Sequence, residues 1–294
     1  MASSCYGDAL IRRIKEKASK WIYRNPVPGP DGTHLNHHLP KSGLRKKDAD
    51  AVVVAVTSDA VFDPGADEGD AFRVGLAFPL LQALQRVNER LLEQNPSESL
   101  LFDIILITTS SQRQQQSSQI MRSTRHHGLE VGRFCFSSED NFLESLLENN
   151  VQLFLSTDRN ETSQASQRGV LSALLDQRAA SSPSEQLRVL FCGDTVVQPN
   201  AAGPMSTIQH DAQSFPAQLG KMRQRFGMLD SPLVIILMVS QGGRDSCSSA
   251  LQVLRSCGVG VDEAYCLAGA PQSPILSLLH PHFLLSDDFG ELEE

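Results

Sequence analysis

Residues 187–197 read LRVLFCGDTVV. Leu187, Val189, Leu190 and Phe191 make a short apolar run of the kind that forms a strand buried on both faces. Cys192, Gly193 and Asp194 close it. Side chains two apart on an extended segment point the same way, so Cys192 and Asp194 are expected to face one pocket. Strands buried on both faces belong to parallel sheets covered by helices, and ligands of such sheets gather beyond the carboxyl ends of the strands.

The same grammar runs along the chain from Asp50 onward, with β-branched runs alternating with helical stretches. Strands are predicted at 51–57, 102–108, 132–136, 152–155, 187–191, 233–239, 264–267 and 283–285. Helices are predicted at 79–93, 117–126, 139–148, 163–179, 244–256 and 274–279. In the first helix Leu80, Leu81, Leu84, Val87 and Leu91 share one face, and Pro79 sits in the first turn, where a helix tolerates it. The fold class is therefore α/β, a three-layer arrangement around a parallel sheet. The linker AASSPSE at 179–185 separates an N-terminal α/β portion, 51–180, from a core at 186–288. Residues 195–230 lack a strand signal and are expected to form an insertion, a lid over the site at the strand ends.

Residues 1–50 read as a basic flexible leader. Residues 1–47 carry ten Lys and Arg against Asp8, Glu16 and Asp31, although the whole chain has a net charge of −8. That acidity argues against general affinity for nucleic acid, which is held by clustered cations. Leu10, Ile11, Ile14, Ala18, Trp21 and Ile22 fall near helical spacing, so 9–22 is either a helix packed on the body or an amphipathic docking or membrane-surface helix. His34, His37 and His38 could hold a metal or be an inert part of the leader. No stretch approaches the roughly 20 apolar residues of a membrane span, and MASSCYGDAL lacks the order of a secretory signal, so the expected location is cytoplasmic. The six cysteines are scattered with no CxxC pair, and five of them read as buried or incidental thiols.

Three further strand ends carry chemistry-bearing residues. VIILMVSQGG ends in Val239, Ser240, Gln241, Gly242 and Gly243; CLAGAPQSPIL brings Gln272 into a helix after the turn Gly269, Ala270, Pro271; HFLLSDD ends in Asp287 and Asp288. Read alone, Asp194 would cap the segment after it and Asp287 and Asp288 would form a solvated turn.

The wording around these positions resembles the type I cytosolic 5′-nucleotidases, members of the haloacid-dehalogenase-like phosphohydrolases. The resemblance runs through AVVVAVTSDAVF, AFPLLQALQRVNERL, FDIILITT, QLRVLFCGDTV, ALQVLRSCGVGVDEAYCLAGAP and HPHFLLSDD; DEAYCLAGAP, 262–271, is its most specific part. It implies a haloacid-dehalogenase-like core and Mg²⁺-dependent removal of phosphate from nucleoside 5′-monophosphates such as AMP, through an aspartyl-phosphate. By the resemblance Cys192 stands at the nucleophile position in place of Asp, and Asp194 is the retained acid/base. Val239, with Ser240 beside it, stands where a Thr binds phosphate, and Gln272 replaces the phosphate-neutralising Lys. Asp194, Asp287 and Asp288 are the implied metal ligands. The TTSSQRQ and SSED stretches depart from the pattern that the family places near its substrate pocket.

A thiol prefers softer metals than Mg²⁺ and has no second oxygen to lend it. Cysteine phosphatases instead close a loop on an Arg six positions after the Cys, and that position here is Gln198. Two readings stand side by side: a nucleotidase-like protein with activity weakened or lost, and a non-catalytic relative that binds nucleotide or a protein partner. Self-association into a homo-oligomer is compatible with either.

Overall fold

The computed structural model describes residues 51–68, 71–110, 115–139, 141–175, 186–197, 214–227 and 230–286. The leader, the His34, His37 and His38 cluster, and the acidic pair Asp287 and Asp288 lie outside the described residues. The described residues form one compact unit.

The first half opens with β1 (Val52–Thr57), α1 (Ser58–Val61) and an antiparallel hairpin, β2 (Phe62–Glu68) and β3 (Ala71–Val74). It continues with α2 (Phe78–Gln94), β4 (Phe102–Thr108), α3 (Ser117–His126), β5 (Arg133–Phe136), α4 (Phe142–Glu148), β6 (Leu153–Ser156), α5 (Arg159–Gln167) and β7 (Ser172–Leu174). The second half holds β8 (Leu187–Cys192), α6 (Gly193–Val197), α7 (Phe215–Gln224), β9 (Leu233–Val239), α8 (Arg244–Ser256), β10 (Glu263–Cys266), α9 (Ser273–Leu279) and β11 (Phe283–Leu285). The fold is α/β, as the alternation predicts. Two parallel sheets result, ordered β5-β4-β1-β6-β7 and β10-β9-β8-β11.

The inner strands of each parallel sheet are buried on both faces, which is why they are apolar at successive positions. Val52, Val54 and Val56 of β1 pack with Leu80, Leu84 and Val87 of α2, whereas Val53 and Ala55 pack with Phe142 and Leu146 of α4 and Ala165 of α5. In the second sheet Val189, Phe191, Ile235 and Leu237 share a core with α7 and α8, and Leu190, Ile236 and Met238 pack against Leu279 of α9. The first of these cores is continuous across the two sheets, and α2 lies against both β4 and β8.

The two halves repeat one plan. In each, a six-residue central strand runs straight into a short helix, β1 into α1 and β8 into α6. Two strands then add to one side of it and one to the other, giving β5-β4-β1-β6 and β10-β9-β8-β11. The details repeat too. The helices after β4 and β9 are followed by Gly128 at φ +68° and Gly258 at φ +80°, left-handed positions that favour glycine. The helices after β5 and β10 are followed by Asn150 at φ 51° and His280 at φ 44°. FDIILITT is echoed by LVIILMVS, and LFLSTD by FLLSDD.

One expectation is corrected. The helix predicted at 163–179 begins and ends earlier, as α5: the Asp158 side chain accepts from the Asn160 amide at 2.7 Å and caps its start, and Gly169 at φ +81° follows its end. Residues 172–174 then form β7, because Ser172 and Ala173 are buried against β6. The hairpin β2–β3 was not foreseen. Of the 195–230 insertion, residues 195–197, 214–227 and 230 are described: Phe215, Leu219 and Met222 of α7 are buried, and a Cβ on Gly220 would stand 2.4 Å from the Gly258 carbonyl oxygen.

Candidate active site

In the second sheet the chain runs from β8 outward to β9 and β10, then returns to place β11 on the other side of β8. The carboxyl ends of β8 and β11 therefore flank a topological switch point, where open α/β sheets bind ligands. Cys192 is the last residue of β8 and is 3% exposed. Gly193 follows at the start of α6, and a Cβ there would lie 2.5 Å from Val239 Cγ2 and 3.3 Å from Ala250 Cβ. Any larger residue would push β9 and α8 away, so the middle position of the Cys-Gly-Asp run is set by packing.

Asp194 is half-buried and turns toward the end of β9. Its Oδ2 accepts from the Ser240 amide at 2.9 Å and its Oδ1 from the Gln241 amide at 3.3 Å. Both carboxylate oxygens thereby tie the start of α6 to the loop after β9, a stronger use than the local cap considered from sequence. Cys192 Sγ lies 3.9 Å from Asp194 Oδ2, as a weak S–H donor.

Val239 is buried and presents a methyl group, not a hydroxyl, at the position where the resemblance implies a phosphate ligand. Ser240 supplies a hydroxyl one residue later, 5% exposed, but Gln272 Nε2 donates to its Oγ at 2.6 Å. The Ser240 carbonyl accepts from the Gly269 amide at 2.8 Å, so the loops after β9 and β10 are also joined. The structure thus brings Cys192, Asp194, Val239, Ser240 and Gln272 together. The pair Asp287 and Asp288 lies outside the described residues; Ser286, just before it, is buried at the end of β11.

Sequence reading named Gln241 only as a residue at a strand end, and missed both its amide as the second donor to Asp194 and the packing role of Gly193. Nothing in the local sequence marks Gln241, because its contribution comes from the main chain. Gly193 carried a signal, being the only small residue between a buried strand and a carboxylate.

Cys192 offers soft sulfur where a hard divalent ion prefers oxygen, and each oxygen of Asp194 accepts one amide and keeps a further lone pair, so of these two residues only Asp194 suits such an ion. Among the described residues no group of three or more His, Cys, Asp or Glu is arranged to hold a metal.

A family model described as 5′-nucleotidase matches residues 65–215, which include Cys192 and Asp194. The chain belongs to the 5′-nucleotidase family. Among relatives of that name, human (Homo sapiens) cytosolic 5′-nucleotidase 1B is 30% identical over 254 residues, covering 74% of this chain and 40% of the relative. The chain thus spans about two fifths of the length of that 5′-nucleotidase. No solved structure matches it significantly. Among the described residues no helix is long and apolar enough to cross a membrane.

Proposed function

We propose that this chain is a member of the 5′-nucleotidase family that retains a pocket for a nucleoside 5′-monophosphate but has lost, or nearly lost, its hydrolysis. One observation carries the reading: Cys192 is buried at the nucleophile position, beside an Asp194 held by the Ser240 and Gln241 amides. A carboxylate nucleophile forms a labile acyl phosphate, and a buried thiol at the same place does not replace it. Removal of a nucleophile from a working constellation costs on the order of 10⁶ in rate in a serine protease. Gln272 compounds the loss. It is neutral where a Lys would face the phosphate, and its amide is spent on Ser240. In this reading Mg²⁺ is held weakly, and the haloacid-dehalogenase-like core serves as a binding frame.

The test is phosphate release from AMP, IMP and their deoxy forms by the purified full chain with Mg²⁺, with Asp194→Asn as control. No release above the control is expected. Turnover that Asp194→Asn abolishes would establish a working hydrolase and sink the proposal. In parallel, AMP at a hundredfold excess over its Kd should stabilise the fold by about 2.7 kcal/mol, a rise of several degrees in Tm. An unchanged melting curve at millimolar AMP removes the nucleotide pocket. The double substitution Cys192→Asp with Gln272→Lys should restore measurable hydrolysis, since it returns both the carboxylate and the cation.

A further inference from the structure

We propose that Cys247 and Cys266 form a redox-active thiol pair, a site of reversible disulfide formation on the rim of the candidate active site. Cys247 lies in the first turn of α8, where its amide donates to the Gly243 carbonyl at 3.3 Å. Cys266 ends β10, and its thiol donates to that same oxygen at 3.4 Å. One carbonyl therefore gathers both residues. The Cys247 amide and the Cys266 thiol thus lie on one oxygen, with the two residues at the adjoining ends of α8 and β10. Cys266 pairs across the sheet with Val239, so the thiols sit beside the loop that carries Ser240 and Gln241.

Accessibility favours this pair over the other described cysteines. Cys266 is exposed and Cys247 half-buried, whereas Cys192 is sealed at the end of β8. Cys257 caps the far end of α8; ten residues from Cys247, at 1.5 Å per residue, it is about 15 Å away. A disulfide needs Cα atoms within roughly 7 Å, so a Cys247–Cys257 bond would require the helix to break.

The oxidant is a low-molecular-weight disulfide, glutathione disulfide in the test. The exposed Cys266 thiolate attacks one glutathione sulfur; the glutathione S–S bond breaks, one glutathione thiolate leaves, and a mixed disulfide forms on Cys266. Cys247 gives its proton to solvent and attacks the Cys266 sulfur, expelling the second glutathione thiolate. Two protein thiols are oxidised, losing two electrons and two protons, and glutathione disulfide is reduced to two glutathiones. Burial, followed by the neighbouring sulfur, raises the Cys247 pKa, which slows the second step near neutrality and speeds it as pH rises. The bond ties the start of α8 to the end of β10 across the Gly243 turn. This inference is independent of the nucleotide reading.

The full chain is incubated with glutathione disulfide, alkylated and cut with trypsin, which separates 245–255, carrying Cys247, from 256–294, carrying Cys257 and Cys266. The two peptides should be recovered joined, and dithiothreitol should part them. The joined species should persist in Cys257→Ser and vanish in Cys266→Ser, a change at an exposed position that leaves the core intact. Its absence from the unsubstituted chain, or its survival in Cys266→Ser, overturns the assignment.

Discussion

Protonation of His282 should weaken the fold in mild acid. The residue precedes β11, is 3% exposed, and braces that strand against β8: its amide donates to the Arg188 carbonyl at 2.9 Å, and its ring Nδ1 accepts from the Arg188 amide at 3.1 Å. Arg188 is itself held, its Nε donating to the Leu279 carbonyl at 2.8 Å and its guanidinium paired with Glu263 at 3.1 Å. Burial first, and the Arg188 charge second, push the His282 pKa from 6.5 down to about 4. Between those values the unfolded chain binds a proton that the folded chain refuses, so stability rises with pH through the window. The contribution is complete above about pH 6.5 and is lost as pH falls toward about 4. A gap of this size is worth roughly 3 kcal/mol at full titration, and about 2.5 kcal/mol by pH 4.5. Urea unfolding of the unsubstituted chain and of His282→Asn at several pH values measures it, since Asn keeps an acceptor near Nδ1 and does not titrate. The unsubstituted chain should lose more stability on acidification, by about that amount. Parallel pH profiles for the two proteins would refute the assignment of a neutral, buried His282.

Gly220→Ala should cost about 1–3 kcal/mol in urea unfolding, because the new Cβ meets main chain at Gly258 and Val259, while Gly227→Ala, with open space around it, should cost far less. Glu161 has its pKa raised, by burial before the opposing Ser156 hydrogen bond, so its contribution is fullest below the unfolded carboxyl pKa and is lost as pH rises through the folded one. Glu161→Gln should therefore gain on the unsubstituted chain as pH increases through that window, and equal pH slopes in the two proteins would contradict it. Arg223 Nε donates to both oxygens of Asp262, at 2.9 and 3.0 Å, and Asp262 Oδ2 accepts the Ile235 amide at 2.8 Å; Arg223→Ala should lower stability by roughly 1.5–3 kcal/mol. A loss below about 0.5 kcal/mol would place that pair among the weak surface ion pairs.

The central strands were legible because parallel strands buried on both faces need unbroken apolar runs, and β1, β4, β8 and β9 have them. The hairpin was not. Its first strand, FDPGADE, carries Pro, Gly and Asp and reads as a turn. It forms because Phe62 and Phe72 bury against a neighbour the local pattern does not name: the Phe72 amide donates to Ser123 Oγ at 2.8 Å, and His127 bonds the Phe72 carbonyl at 2.7 Å. The helix predicted over 163–179 failed for a related reason, since the three residues of β7 owe their extended form to β6 beside them.

The sequence by itself determined the α/β class, the places where strands end, and which residue types stand at those ends, because burial on both faces of a strand is written into consecutive side chains. Tertiary structure alone decided what those ends do to one another. Gln272 meets Ser240, Asp194 meets the amides of Ser240 and Gln241, and Cys247 and Cys266 meet one Gly243 carbonyl only because crossovers order the strands β10-β9-β8-β11. The likeness of that order to β5-β4-β1-β6 was hidden for the same reason. Strand order is fixed by which faces and edges pack together, and no short stretch of the chain carries that information.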